Sequence, residues 1–455
     1  MRSRSVFSLV TVVLVAAVAA GCSDVPVVTP VHRDPMTPPM GWNSWNSGIA
    51  LTEQNVEQTA DAMVASGMRD AGYRYVNLDA GWAAPRRDAA GNLTADPRRF
   101  PHGIAALAAY VHERGLRLGL YSSPYNQVCG QDPGTAGAGH EDADARTFAS
   151  WGVDYLKYDW CSTDADYGHK VRDFTAMRDA LRRTGRQIVY SINPNSSAEP
   201  TAGIDHDWTA VADLSRNTGD LIPVWHNSSP NTAAAGFPSS VFLGVIDQFA
   251  KAGRIAQRSS PTHINDPDMT VVGLPFTDFF AVHLAGVADA APEQLTQTAA
   301  ARTLPPDLRA LLADPRAALT PDEERAHFSL WAMLAAPLIA GNDLRTMSPD
   351  TRAVLTNADV VAVDQDPLVV QATPLAGDDR VLVKKLADGS LAVALLNRDA
   401  APADLGTTIA ALGLPGARTY TVRDLWTHDS VTTADRIDAP AVPAHGVRLL
   451  RITAS

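Results

Sequence analysis

A chain of 455 residues is longer than one ordinary domain needs, and its 45% hydrophobic and 19% charged content suits a soluble globular protein with a large core. The net charge of −12 and the lack of any long basic run argue against a nucleic-acid partner, while acidic and neutral substrates are not separated by charge.

The N-terminus reads as a processing signal. Arg2 and Arg4 form a basic head, and Val6–Ala20 is apolar apart from Ser8 and Thr11, a run too short for a comfortable transmembrane helix. It ends Ala19-Ala20-Gly21-Cys22, which resembles a bacterial lipobox with Cys22 as the lipidated residue. Ala19 stands where Leu is usual, so an ordinary signal peptide is the alternative for residues 1–21. Either way the mature protein is expected to be exported, held at the outer face of a membrane through an acylated Cys22 or secreted. Residues 22–36 have no period and read as a linker. Of the three cysteines, Cys129 and Cys161 remain if Cys22 is lipidated, and in an oxidising compartment they can pair. Each follows a predicted strand, so a bridge would tie two loops of one rim; two unrelated thiols are the other possibility.

From residue 37 strand-like and helix-like segments alternate. Strands are expected at Met40–Trp45, Tyr73–Trp82, Leu116–Ser122, Val153–Asp159, Gln187–Asn193, Asp213–Asn217, Ile264–Val272 and Pro337–Asp343. Helical periodicity fills 52–66, with Thr52 as a cap, and 103–114, 141–151, 169–184, 239–252 and 323–335. Eight strands alternating with helices predict a parallel (β/α)8 TIM barrel over residues 37–366. Residues 276–322 do not fit one crossover; they read as an insertion with a helix near Pro306–Leu312, placed to form a wall beside the site. Beyond it the texture changes to short alternating runs, Val381–Lys385, Leu391–Asn397, Tyr420–Leu425 and Val447–Ile452, so residues 367–455 are expected to form a C-terminal antiparallel β-sandwich.

Polar residues cluster where the predicted barrel strands end: Trp45, Asp79, Tyr121, Lys157, Asp159, Asn193, Arg216 and Asp268. That is the face on which such barrels build active sites. Lys157 and Asp159 are two residues apart on one strand and leave the same face, and a cation there favours an ionised Asp159, a credible nucleophile. A structural Lys–Asp pair is the plainer reading of that stretch. Arg216 precedes Asp220 by four residues; Arg216 can clamp a hydroxylated ligand or hold a carboxylate, and Asp220 can act as a proton donor if its pKa is raised. Paired carboxylates on one rim fit glycoside hydrolysis. Trp42, Trp45, Trp82, Tyr121, Trp160 and Trp225 fall near the predicted rim, and flat rings pack on the apolar faces of sugars. There is no His-x-His, HExxH or Cys/His ligand spacing, no Gly-x-Ser-x-Gly elbow and no P-loop, so no metal and no cofactor is called for. His206, His226 and His263 are scattered and read as structural.

The chain resembles glycoside hydrolase family 27, the α-galactosidase and α-N-acetylgalactosaminidase family, and is read as a bacterial member. The motifs are Met40-Gly41-Trp42-Asn43-Ser44-Trp45, Ala71-Gly72-Tyr73, Asp96–Gly103, Trp151–Asp159, Asn265-Asp266-Pro267-Asp268-Met269 and Gly341–Arg345. The resemblance runs from about Thr37 to the end, the insertion apart, and implies an exo-acting, retaining, metal-independent barrel followed by a β-sandwich. It also implies that Asp159 is the nucleophile and Asp220 the acid/base, with Arg216 preceding it. Sugar-binding positions fall on Trp45, Asp79, Tyr121, Lys157 and Asp268, and a disulfide beside the pocket on Cys129 and Cys161.

Two departures bear on the sugar. The family usually carries two consecutive aspartates that embrace the 4- and 6-hydroxyls of galactose; here they are Asp79-Ala80. Losing one charge-assisted hydrogen bond costs about 1.5–3 kcal/mol, roughly tenfold to a hundredfold. The loop that reads the 2-position, Ser191–Ser196, resembles loops in bacterial members, with Asn193 as the contact. The expected activity is therefore a retaining exo-α-glycosidase acting on a carbohydrate, foremost an α-galactosidase. A β-L-arabinopyranosidase, an α-N-acetylgalactosaminidase or an α-glucan-acting enzyme is the alternative, and a silent sugar-binding lipoprotein the reading from another class.

Overall fold

Short apolar runs closed by Gly, Pro or a polar residue set the strands. In the computed structural model, which describes residues 35–129, 136–196, 198–231, 239–285, 292–314, 317–414 and 417–455, they are β1 (Met40–Asn43), β2 (Tyr75–Asn77), β3 (Arg117–Ser122), β4 (Tyr155–Asp159), β5 (Val189–Asn193) and β6 (Leu214–Arg216). A two-residue pair follows, β7 (Asp220–Leu221) and β8 (Phe242–Leu243), then β9 (Ile264–Asp266) and β10 (Leu338–Ala340). The eight barrel strands pair in parallel in the order β10-β1-β2-β3-β4-β5-β6-β9. The expected leader over residues 1–21, Cys22 and most of the expected linker lie outside the described residues.

The ring closes in a way the sequence did not suggest. A single strand over Ile264–Val272 was expected; instead β9 stops at Asp266, because Pro267 has no N–H to donate and Asp268 adopts a left-handed backbone with φ of 83°. The chain rejoins the sheet at Thr270, which bridges to Ala340, its N–H donating to Ile339 O at 2.7 Å. The break turns the Asp268 side chain into the site.

Outer helices follow the expected periods. Thr52 caps Glu53–Ala65, its hydroxyl accepting from Asn55 N at 3.3 Å, and Val56, Ala60 and Met63 face the core. Glu141–Trp151 ends on Gly152, whose φ of 81° suits a left-handed cap and turns the chain into β4. The helix expected over 239–252 begins only at Val245, because Phe242–Leu243 is held as a strand by Asp220–Leu221. Within 276–322 the described elements are helices Phe276–Phe280, Pro292–Thr296, Ala299–Thr303 and Pro306–Leu311 and a π-helical turn Ala281–Ala285.

The C-terminal strands are β11 (Thr373–Leu375), β12 (Asp378–Lys385), β13 (Leu391–Leu396), β14 (Ala403–Thr408), β15 (Tyr420–Asp424), β16 (Ser430–Thr433), β17 (Arg436–Val442) and β18 (Val447–Ala454). They form an antiparallel six-stranded sheet in the order β11-β12-β13-β18-β15-β16, faced by the pair β14-β17. Strand β13 is buried on both sides. Leu391, Val393 and Leu395 enter the sandwich core, while Ala392, Ala394 and Leu396 pack with the barrel's core residues, which include Phe328 and Trp331 of helix Pro321–Met333. Lys384, fully buried, donates to Ala332 O at 2.8 Å, and Trp426 Nε1 donates to Ser329 Oγ at 2.9 Å.

Candidate active site

At the C-terminal ends of the barrel strands a cavity of about 590 Å³ opens, lined by Trp45, Asp79, Tyr121, Lys157, Asp159, Asn193, Arg216, Asp220 and Asp268 among others. Every substrate-site and carboxylate residue expected from the sequence therefore reaches one space. That volume suits a small ligand such as a sugar.

Strand β4 delivers the centre. Period-two geometry sends Lys157 and Asp159 to the inside while Leu156 and Tyr158 pack outward into the core. Lys157 Nζ lies 2.7 Å from Asp79 Oδ2 and 3.5 Å from Asp159 Oδ2, so its shorter ion pair is with Asp79. Asp79 is fixed further by Asn43 Nδ2 at 3.1 Å and by the Ala80 N–H at 2.9 Å, and its own N–H donates to Ser44 Oγ at 2.9 Å. Lys157 also sits over the Tyr121 ring, 5.0 Å from the centroid.

Lys157 favours the ionised form of Asp159, as expected, but burial works against it. Burial pushes the Asp159 carboxyl up to about 6; Lys157 opposes the rise and the Asp79 charge adds to it. Asp159 Oδ1 has no hydrogen-bond partner among the described residues, so one buried oxygen of this cavity-lining carboxylate is uncommitted. Burial drives the Lys157 ammonium the other way, but Asp159 and Asp79 outweigh it and hold it above its ordinary range.

The second carboxylate rides on the loop after β6. Arg216 Nη2 donates to Gly219 O at 2.8 Å and to Asp220 Oδ1 at 3.0 Å, and Nη1 pairs with Asp268 Oδ1 at 2.8 Å. Of the two roles open to Arg216, holding carboxylates is the one its hydrogen bonds perform. Asp220 begins β7, its N–H bonded to Val241 O at 2.7 Å, and its side chain is 49% exposed where Asp159 is buried. A Cβ on Gly219 would stand 2.0 Å from Val241 O, so only glycine lets the two segments approach. Asp268 is buried, with Leu221 N–H on Oδ2 and Met269 N–H on Oδ1, both at 2.9 Å; burial raises its pKa against the pull of Arg216.

Asn193, at the end of β5, spends its carbonyl oxygen on Asn195 N–H and Nδ2, both at 3.1 Å, leaving its amide N–H2 as the group to offer a ligand. Cys129 and Cys161 form the disulfide, Cα atoms 4.9 Å apart, and the Tyr121 hydroxyl lies 3.5 Å from Cys161 Sγ. The bridge pins the loop after β4 to the neighbouring rim loop.

The aromatic cluster divides. Trp45, Tyr121 and Trp160 line the cavity, and Trp45 is 43% exposed. Trp42, Trp82 and Trp225 are packing residues: Trp42 Nε1 donates to Asn342 O, Trp82 Nε1 donates to Tyr121 O, and Trp225 stacks on His445. The histidines read as structural are so placed. His206 packs on Tyr167 and Trp208, His226 pairs with Asp247, and His263 bonds Ser215 and Ala212 O.

Several residues escaped sequence reasoning. Buried Asn195 donates to Arg216 O at 3.2 Å and Thr218 O at 2.9 Å, and Gln248 Nε2 reaches Gly219 O at 2.9 Å, so both brace the loop carrying Asp220. Neither belongs to a local pattern that marks it. His283 comes from the 276–322 segment and lines the cavity with Phe279 and Val282. Its ring is 5.0 Å from that of Trp45, and burial pushes its imidazole down to about 4, against the Asp220 and Asp79 charges.

A parallel eight-stranded barrel with a buried carboxylate and a half-exposed one on its C-terminal rim, beside the exposed ring of Trp45, defines a glycoside hydrolase. Residues 37–317 and 306–366 match the family model described as Alpha galactosidase A, and residues 376–452 match the Alpha galactosidase C-terminal beta sandwich domain. The chain is 36% identical to Alpha-galactosidase A of Cellvibrio japonicus, over 92% of each chain. It is 35% identical to Alpha-galactosidase of Cyamopsis tetragonoloba, over 92% of this chain and 86% of that one. Among solved structures, α-galactosidase I from Mortierella vinacea matches at 30% identity with a TM-score of 0.75, over 92% of this chain and 97% of that one. The chain belongs to the α-galactosidase family, glycoside hydrolase family 27, and its substrate is a carbohydrate.

Proposed function

We propose that the protein is a retaining exo-α-galactosidase in which Asp159 is the nucleophile and Asp220 the acid/base. The observation that carries the reading is the pairing of environments across one cavity. Asp159 is buried, one oxygen facing Lys157 and the other uncommitted, while Asp220 is held by Arg216 at the solvent edge. Asp159 Oδ1 attacks the anomeric carbon as the glycosidic bond breaks, and Asp220 gives its proton to the leaving oxygen. Water then enters; Asp220 takes a proton from it, the oxygen of water bonds to the anomeric carbon, and the ester bond to Asp159 breaks. Two inversions restore the starting configuration. With Asp159 titrating near 6, most molecules carry the ionised nucleophile at neutral pH. Trp45, Tyr121, Asp79, Lys157, Asn193, Arg216 and Asp268 are read as the sugar's surroundings.

A second specificity is favoured by one feature. Ala80 packs against the apolar group Tyr121, Val128 and Ala136, so no second carboxylate follows Asp79. A β-L-arabinopyranoside, which lacks the 6-carbon, would need no such group. Release of p-nitrophenol from the α-D-galactopyranoside and the β-L-arabinopyranoside, side by side, separates the two, and preference for the arabinoside would overturn the galactosidase name. Asp159→Asn is expected to abolish turnover; near-normal activity in that variant would sink the assignment.

We further read the chain as a bacterial member exported by residues 1–21. It is either anchored by a lipidated Cys22 ahead of a 22–36 linker, or secreted. The catalytic barrel is assigned to 37–366 and the sandwich to 367–455. Mass spectrometry of the N-terminus of the mature protein tests the export reading, since an uncleaved Met1 would refute it.

A further inference from the structure

The 276–322 segment adds a wall to the cavity in which Phe279 and Val282 are apolar and His283 carries the polar atoms. The Phe279 and His283 rings are 4.6 Å apart, and the His283 ring is 5.0 Å from that of Trp45. Among these side chains His283 Nε2 is buried and has no hydrogen-bond partner among the described residues. A buried imidazole nitrogen left unpaired costs stability unless a ligand or water meets it. Both Asp79 and Asp220 lie near enough to act on the imidazole electrostatically, and all three line the one cavity. An apolar wall bearing a hydrogen-bonding imidazole is complementary to a hydroxymethyl group, whose methylene packs on rings and whose oxygen needs one partner. On the opposite count, Ala80 supplies no polar atom, its side chain being packed against Tyr121, Val128 and Ala136.

We propose that His283 is a specificity-determining residue: its Nε2 hydrogen-bonds the exocyclic hydroxyl of the terminal sugar while the sugar's methylene rests against Trp45 and Phe279. The inference deepens the galactosidase reading and rests on the part of it that seats a terminal galactose in this cavity. Its imidazole is neutral at working pH, so it can donate or accept without bringing a second charge beside Asp79.

The test compares three aryl glycosides, the α-D-galactopyranoside, the 6-deoxy α-D-fucopyranoside and the β-L-arabinopyranoside, on wild type, His283→Ala and His283→Gln. Loss of the hydroxyl's partner should lower kcat/KM of His283→Ala on the galactoside by about tenfold to a hundredfold, with little change on the other two. His283→Gln, which keeps a hydrogen-bonding group, should recover part of the loss. Equal losses on all three substrates, or none on any, would overturn the role. Calorimetric binding of D-galactose against D-fucose reads the same contact without turnover. If wild type cleaves none of the glycosides yet binds galactose through His283, the galactosidase reading falls and this inference stands. If wild type cleaves galactosides and His283→Ala loses nothing, the inference falls alone; if wild type neither cleaves nor binds, both fall.

Discussion

Replacing Lys157 with Met should move the acid limb of the pH–activity profile upward. Lys157 Nζ is 3.5 Å from Asp159 Oδ2, a separation at which two unit charges interact by about 5 kcal/mol at an effective dielectric of about 20. At about 1.4 kcal/mol per pKa unit the ceiling is about 3.5 units, and sharing the cation with Asp79 at 2.7 Å reduces it, so about one to three units is expected. Asp159 should then titrate about one to three units above its present value of about 6. The unpaired Asp79 charge acts in the same direction. At pH 6 the ionised nucleophile would fall from about half of the molecules to between about a tenth and a thousandth. The assay is kcat/KM for p-nitrophenyl α-D-galactopyranoside between pH 4 and pH 9, which reports groups of the free enzyme, with circular dichroism to confirm that the variant is folded. A folded Lys157→Met enzyme whose acid limb stays at the wild-type position would refute the electrostatic coupling.

Three further outcomes follow from the geometry. Asp159→Asn should stabilise the fold while it removes activity. The folded pKa of about 6 lies above the ordinary 3.8, so the folded state binds the proton more tightly, and stability falls as pH rises from 4 through 6. Removing that buried charge should add about 1–3 kcal/mol at pH 7, read as a higher Tm, and an unchanged or lower Tm would contradict it. Reducing the Cys129–Cys161 bridge, which spans 32 residues, should cost about 3–4 kcal/mol by chain entropy, seen as a reductant-dependent drop in Tm. Lys384→Ala should destabilise by about 2–4 kcal/mol, because it empties a buried side-chain site, leaves Ala332 O without its donor and removes the cation that offsets the burial of Asp364. Adding Asp364→Asn should restore part of that in a denaturant titration.

What the sequence made legible was whatever local pattern controls. Alternating strand and helix periods placed eight barrel strands, and the polar residues at their ends converged on one cavity, because strand ends share one rim whatever the details of the loops. Cysteine arithmetic anticipated the Cys129–Cys161 pair. Where tertiary contact decides, the reading failed. Trp42, Trp82 and Trp225 sit near strand ends, but their indoles are turned inward by packing that no spacing reveals. The strand over Ile264–Val272 breaks because Pro267 and the left-handed Asp268 override its apolar run. Thr373–Leu375, Ala403–Thr408, Ser430–Thr433 and Arg436–Val442 are strands only because partners align them; the last two are mostly exposed, and the last three lack a strong apolar run. His283 was invisible for the same reason, since its segment has no period that points to the rim.

The most direct test of the proposed reaction is the anomeric configuration of the first sugar released. Hydrolysis of p-nitrophenyl α-D-galactopyranoside followed by proton NMR within the first minutes, before mutarotation, should show α-galactose appearing first, with β-galactose growing in only later. β-Galactose as the first product would contradict a double displacement through Asp159, and no galactose at all from an enzyme that is folded would contradict the activity itself.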